Sequence, residues 1–428
     1  MSQHLPHRPP HRPMRIVGGQ PGEGGVRLEV VDERRPVTKS RALGVWWREI
    51  DRVLLVLVGL LMAVGAIAIA AASPASAHRL STAAEKIKDL HFFWLHLAFL
   101  GLGIAAMLPV SMLSRESARR AAIVLAAAMI VALMLVPVVG SNVNGAKRWL
   151  NLGIKFQPSE FLKPAFAITV AWILSWRARD PRLPAIGLSF GLLALVGALL
   201  MLQPDFGSTI LFCGVWFVLV LLSGLSVQKV GLAGGGAVAF VVAAYLFYDN
   251  ARHRIDAFLG GGTAYDQVDL ARRTLLAGGW KGAGLWLGTR KMNLPEAHTD
   301  YIFSVVGEEF GLIACAMIVL LYQAIVTRVL VRLVEEEDLF TVLAATGLTA
   351  QLGGQAFINI LVNLQLFPSK GMTLPLISYG GSSTIALCVG VGFLLAITRR
   401  NPYLSRAPFP EPRVTLGPQA RAALAAGV

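Results

Sequence analysis

The chain has 428 residues, of which 55% are hydrophobic and only 15% charged, with a mean hydropathy of +0.61 and a formal net charge of +14. A charged fraction well below the about 25% of ordinary domains excludes a disordered protein, a coiled coil and a conventional soluble enzyme, and points to a chain buried mostly in lipid. The positive charge does not indicate a nucleic-acid partner, because loops flanking membrane spans collect Lys and Arg for topological reasons.

Residues 1–52 are rich in Pro, Gly and Arg and are expected to form a disordered cytoplasmic tail. The tail ends in Trp46, Trp47, Arg48 and Arg52, which suit an interfacial anchor. No cleavable signal peptide is predicted, since the first apolar run begins near residue 53 and is long enough to span. A membrane domain is expected over 53–397, followed by a cytoplasmic tail, 398–428. A spanning helix needs about 20 mostly apolar residues. Ten segments qualify: 53–73, 91–113, 119–139, 160–175, 183–202, 206–224, 229–248, 302–327, 340–362 and 375–397. The fourth is short and opens with Glu160 and Lys163. Cys213, Cys315 and Cys388 each sit in an apolar run without paired spacing, as small core hydrophobes do.

An even number of spans puts both termini on one side, and the excess of Lys and Arg in the short loops of that side predicts that it is cytoplasmic. The expected fold class is therefore an all-α polytopic membrane protein. It has ten transmembrane helices, cytoplasmic termini and a large extracytoplasmic loop, 249–301, between helices 7 and 8. The acidic run from Glu335 to Asp338 falls in a cytoplasmic loop and reads as a solvated face.

The unusual polar residues gather in the outward loops. Loop 140–159 carries Lys147, Arg148 and Trp149, two cations and an indole that suit an anionic, partly apolar ligand at the interface. Gln203-Pro-Asp205 adds a carboxylate at a hinge. Loop 249–301 has a basic opening, Arg252-His-Arg254, and an amphipathic stretch, Val268 to Ala277, that could lie on the membrane. Its glycines, Gly278 to Gly288, lack the Gly-Lys-Ser/Thr ending of a nucleotide loop and suit tight turns and close backbone approach. The loop closes with Leu294-Pro-Glu-Ala-His-Thr-Asp300, where a helix started by Pro295 would place Glu296 and Asp300 on one face and His298 elsewhere. Glu308 and Glu309 follow inside an apolar span. They mark either a site or a pair that hydrogen-bonds to another element. Lys370 and the Gly/Ser/Pro-broken start at 375–383 suggest a helix opened around a cavity. Together these residues imply an outward pocket for an amphipathic anion; enzyme and transporter both remain open at this level.

Four blocks of the sequence resemble the SEDS family of membrane proteins (shape, elongation, division and sporulation). They are Asn144-Gly-Ala-Lys-Arg-Trp-Leu with Gln157-Pro-Ser-Glu-Phe-Leu-Lys; Gln203-Pro-Asp-Phe-Gly-Ser; Leu294-Pro-Glu-Ala-His-Thr-Asp with Gly307-Glu-Glu-Phe-Gly; and Phe367-Pro-Ser-Lys-Gly-Met-Thr-Leu-Pro-Leu-Ile-Ser-Tyr-Gly-Gly-Ser-Ser. The resemblance covers about residues 50–400 and is closer to the division branch than to the elongation branch. It implies ten spans and a peptidoglycan glycosyltransferase that polymerises lipid II on the outer face of the bacterial cytoplasmic membrane. It also implies a class B penicillin-binding protein and other divisome proteins as partners. The family's essential aspartate maps onto Asp300, and substrate binding is expected at Lys147, Arg148, Trp149, Gln157, Glu296, Lys370 and Ser378. The sequence departs from the family pattern at Gly260-Gly-Gly and at Asp266, which puts the local loop geometry there in question.

Lipid II chemistry needs a general base for the acceptor sugar hydroxyl and cations for the departing diphosphate. Asp300 is the expected base, with Glu296 as its competitor; Lys147, Arg148 and Lys370 are the expected cations. A divalent ion such as Mg is a possible helper and no other cofactor is expected. A lipid II flippase, an elongation-type polymerase and a noncatalytic scaffold are the competing readings. The flippase would need a polar path through the bilayer, for which only Lys163, Glu308 and Glu309 are candidates.

Overall fold

The computed structural model describes residues 14–17, 27–30, 39–82, 86–143, 146–151, 155–178, 180, 182–224, 227–260, 265–369 and 371–400. The chain divides into two compact units, Met1–Arg48 and Glu49–Val428. In the first, β1 (Met14–Val17) and β2 (Arg27–Val30) pair antiparallel, and α1 (Lys39–Glu49) runs to the boundary.

The second unit is helical. It contains α2 (Arg52–Leu80), α3 (His91–Ser111) and α4 (Arg115–Val139), then three short strands, β3 (Ser141–Val143), β4 (Ala146–Asn151) and β5 (Lys155–Phe156). There follow α5 (Pro158–Ser175), α6 (Ala185–Met201), α7 (Phe206–Leu222), α8 (Val227–Phe247), α9 (Asp249–Phe258), α10 (Tyr265–Ala277), α11 (Ile302–Leu333), α12 (Leu339–Asn363) and α13 (Ser382–Ile397). Among the described residues α2, α3, α4 and α11 are long and apolar enough to cross a membrane, and α6, α7, α13 and the second half of α8 are shorter apolar helices. Each of the ten apolar segments coincides with a helix. The last begins only at Ser382, because Leu376 and Gly381 take positive φ angles of 63° and 52° that helical backbone cannot absorb.

Helix α5 lies at the centre, packed against α4, α6, α7, α12 and α13 and buried along nearly its whole length. Its central place explains the two charges in a short apolar segment. Lys163 Nζ pairs with Glu160 at 2.7 Å and donates to Gln355 Oε1 at 3.3 Å, so neither ion faces lipid. Ions buried without a partner would each cost several kcal/mol. At the other end of the bundle Asp51 caps α2 through Val53 N and Leu54 N. It also binds Arg328 at 2.9 Å and Arg332 at 2.8 Å on α11.

The acidic run is exposed, as expected, but it is engaged as well. Glu336 pairs with Arg115 at 3.1 Å, Glu335 with Arg400 at 3.0 Å, and Asp338 caps α12 through Thr341 N.

Loop 249–301 contains two helices. The amphipathic stretch becomes α10, whose Val268, Ala271, Thr274 and Leu275 are buried as it packs on α11. The glycine series then runs beside a break in α11. Gly311 has φ 80° and ψ 175°, and the bonds the helix loses there are replaced from the loop. Ala283 N donates to Glu308 O at 2.8 Å, Gly284 N to Glu309 O at 2.9 Å, and Leu312 N to Gly279 O at 2.9 Å. A Cβ at Gly282 would collide with the Glu309 carbonyl, and one at Gly311 with the Trp280 carbonyl.

Glu308 and Glu309, 2% and 1% exposed, hold the next stretch of the loop. Glu308 accepts from Arg290 N at 2.7 Å and Lys291 N at 2.8 Å. Glu309 accepts from Trp286 N and pairs with Lys291, which also donates to Ala71 O of α2 at 2.9 Å. The loop thus folds back alongside two membrane helices. Gly282→Ala and Gly311→Ala are expected to destabilise the fold by about 2 kcal/mol or more, through steric clash and a forced positive φ. Gly234→Ala, with open space around its position, should be neutral; thermal unfolding in detergent checks the contrast.

Candidate functional site

Three segments broken out of regular structure converge on Asp300. The first is the turn before α11. It is not the helix expected from Pro295: Glu296 has φ +50°, and Thr299 N and Tyr301 N both return to the Glu296 carbonyl, at 3.1 and 3.2 Å. The turn still keeps Glu296 close enough to Asp300 for their charges to interact. His298 packs among aromatics, its ring 4.4 Å from that of Phe92 and 5.5 Å from that of Tyr379, and its carbonyl accepts from Tyr379 N at 3.0 Å.

The second segment follows Ser369. Gly371, at φ +60°, lies against the carboxylate: a Cβ built there would stand 3.5 Å from Asp300 Oδ2. The third is the β3–β4 hairpin. Ser141 pairs with Trp149 and Asn142 with Lys147, so Arg148 is the extra residue of a β-bulge, a feature that re-aims side chains. Arg148 Nε donates to Gln203 O at 3.0 Å and its Nη2 to Pro204 O, beside Asp205 at the start of α7. Arg254 on α9 donates to Ser369 O at 3.0 Å. Arg148 and Arg254 are both near enough to Asp300 to stabilise its charge.

Electrostatics sets the state of the carboxyl. Burial, and then the negative charge of Glu296, push Asp300 up to about 7, against the opposing pull of Arg254 and Arg148. Its side chain nevertheless keeps a partly open edge. Burial also lowers the Arg254 guanidinium, with Arg148 adding repulsion while Asp205, Asp300 and Tyr301 counter it. Burial pushes His298 down to about 4, against Glu296, so its imidazole is a neutral packing group at pH 7.

The other expected site residues fall in different places. Lys147, next to Arg148 on the strand, is exposed and donates to Pro137 O at 3.3 Å. Trp149 is half-buried in the hairpin. Gln157 precedes α5 and donates its backbone N–H to Ser382 Oγ at 3.3 Å. Ser378 is buried and accepts from Leu374 N at 2.8 Å, closing the turn before α13. Lys370 lies outside the described residues, as do Asn144 and residues 261–264.

Sequence reasoning noticed Arg254 as a basic loop opening without placing it in the site. It passed over Asn359 and Asn363, which donate to the Asp300 carbonyl at 2.8 and 3.2 Å. The available signal was a repeat of amides one helical turn apart in an otherwise apolar span.

Among the described residues no group of three His, Cys, Asp or Glu side chains comes together for a metal ion. A cavity of about 550 Å³ lies between the ends of α4, α5 and α12, lined by Trp172, Trp176, Arg119 and Phe340. It sits roughly 30 Å from Asn359 along α12 and is separate from the Asp300 cluster.

The profile of the family described as "Cell cycle protein", which groups FtsW, RodA and SpoVE, matches residues 51–403. The chain belongs to this SEDS family. A Caulobacter vibrioides protein named "Probable peptidoglycan glycosyltransferase FtsW" is 37% identical over 368 residues, covering 85% of this chain and 93% of that protein. The fold resembles a chain of a solved structure described as structural coordination of polymerization and crosslinking by a peptidoglycan synthase complex. There the TM-score is 0.68 at 30% identity, over 82% of this chain and 98% of that one. It also resembles the Thermus thermophilus rod shape determining protein RodA, with TM-score 0.60 at 28% identity, over 82% and 97% of the two chains.

A carboxyl titrating near 7 has a direct readout. Carbodiimide reacts with the protonated acid, so labelling of Asp300, followed by mass spectrometry, should fall as pH rises through about 7. Glu296→Gln removes the neighbouring negative charge and should move the midpoint down. A midpoint near the ordinary carboxylate value of about 4 would contradict this electrostatic account.

Proposed function

We infer that the chain is a peptidoglycan glycosyltransferase that polymerises lipid II during septal cell-wall synthesis, with Asp300 as general base. One observation carries the catalytic reading: a buried carboxyl raised toward neutrality interacts with two guanidiniums, Arg148 and Arg254, each held by loop carbonyls. The FtsW name of its curated relatives supports the division role over the elongation role.

In this reading Asp300 takes the proton of the acceptor sugar hydroxyl as that oxygen attacks the donor anomeric carbon. The donor passes through an oxocarbenium-like state, and undecaprenyl diphosphate leaves in the same displacement, with inversion. Arg148 and Arg254 meet the growing negative charge of the diphosphate, and neither needs to give up a proton. Their tethers to the carbonyls of Gln203, Pro204 and Ser369 fix each guanidinium in advance. Lys370 is a third candidate cation, and Lys147, Trp149 and Glu296 are candidates for the sugar and headgroup rim. The two guanidiniums suit the phosphate side of a substrate.

Ten helices would cross the cytoplasmic membrane with both termini inside, so that Asp300 opens to the outer leaflet. A class B penicillin-binding protein would supply crosslinking; the likeness to a chain of a peptidoglycan synthase complex supports such a partner. The flippase reading loses its candidate path, because Lys163, Glu308 and Glu309 are all held in internal pairs and hydrogen bonds.

Gel analysis of products from labelled lipid II, using the purified complex with its penicillin-binding partner, tests the assignment. Asp300→Ala should lower polymerisation by about 100-fold or more while leaving complex formation intact. Arg254→Ala should lower it about tenfold or more. Glycan chains made by Asp300→Ala at the parental rate would refute the role of Asp300.

A further inference from the structure

Helix α12 carries four amides, Gln351, Gln355, Asn359 and Asn363, at successive four-residue steps, which place them on one face. The last three are 0%, 2% and 0% exposed. Polar groups so deep in an apolar helix are costly unless they are hydrogen-bonded. Here each of these three donates to a backbone carbonyl of the segments around the site.

Gln355 Nε2 donates to the Thr373 carbonyl at 3.0 Å, while its Oε1 receives Lys163. Asn359 Nδ2 donates to the carbonyls of Met372 and Asp300, at 2.6 and 2.8 Å. Asn363 Nδ2 donates to the Asp300 carbonyl at 3.2 Å, and its Oδ1 accepts from Ser304 N and Ser304 Oγ, at 3.2 and 2.7 Å. The amide of Asn359 therefore joins the two backbones that meet at the carboxylate. One is that of Asp300 itself; the other continues from Gly371, which lies against Asp300 Oδ2. Both Nδ2 bonds of Asn359 run to backbone carbonyls.

We propose that Asn359 and Asn363 are positioning residues for Asp300, with Asn359 setting the distance between its carboxylate and the Gly371–Met372 backbone. The proposal rests on Asp300 being the base. An apolar side chain at 359 would leave the Met372 carbonyl without this donor and the Asp300 carbonyl to Asn363 alone, and would let the segments drift apart. A displacement of about 1 Å at a reacting group can cost about 100-fold in rate.

The test uses the complex with its penicillin-binding partner and labelled lipid II. Asn359→Ala is expected to lower kcat by about 10- to 100-fold with KM for lipid II changed less than about twofold, the signature of a misplaced reacting group. Asn359→Ser, which keeps a hydroxyl donor, should recover part of that loss. Melting temperature and co-purification with the partner report on folding. A well-folded Asn359→Ala enzyme with parental kcat, or with the whole loss in KM, overturns the proposal. So does a loss that tracks only the amount of folded protein. If Asn359→Ala does not fold, Asn363→Ala is judged by the same criteria. Asp300→Ala is measured alongside. If it retains activity, the reading of Asp300 as base has failed. If it is inactive while folded asparagine variants are parental, only the positioning role has failed.

Discussion

Buried backbone N–H and C=O groups must find partners within the protein, and this constraint governs the whole arrangement. It is met where α11 breaks at Gly311, because residues 279–284 supply the missing bonds. It is met again across residues 371–381, where Gln355, Asn359, Ser378 and Tyr322 each bond a backbone group of the segment. The irregular segments are thus tied down where they approach Asp300.

The same logic separates the structural charges from the chemical ones. Lys163 with Glu160, and Lys291 with Glu309, are buried pairs whose hydrogen bonds fasten helices and loops together. Arg148, Arg254 and Asp300 are also embedded, but their side chains are tethered to loop carbonyls or left with an open edge. Buried ion pairs of the first kind say little about function, whereas a carboxyl raised toward neutrality beside guanidiniums marks a candidate site.

Helices were the most legible part of the sequence, because twenty apolar residues in a row can do little else in lipid. The central place of α5 was not legible, since burial against five neighbours is a tertiary fact and the segment looked too charged. In the candidate site the sequence pointed to Asp300 and Arg148. Lys147, the neighbour of Arg148, is exposed, because a strand turns successive side chains to opposite faces and a bulge then re-aims one of them. The turn at 295–301 was misread as helix, because Pro295 is a permissive helix start and nothing local announces the positive φ of Glu296. Arg254 and the α12 amides required contacts across more than 50 positions of sequence, which no local pattern reports.

The partly open edge of Asp300 has a consequence for repeated turnover. With Asp300 as the proposed base, each sugar linkage would deposit a proton on the carboxyl, and neither guanidinium could carry that proton away. A fully sealed acid would stall after one bond. An affinity near neutrality at a residue that is not fully buried would let the group discharge to bulk water between additions of sugar.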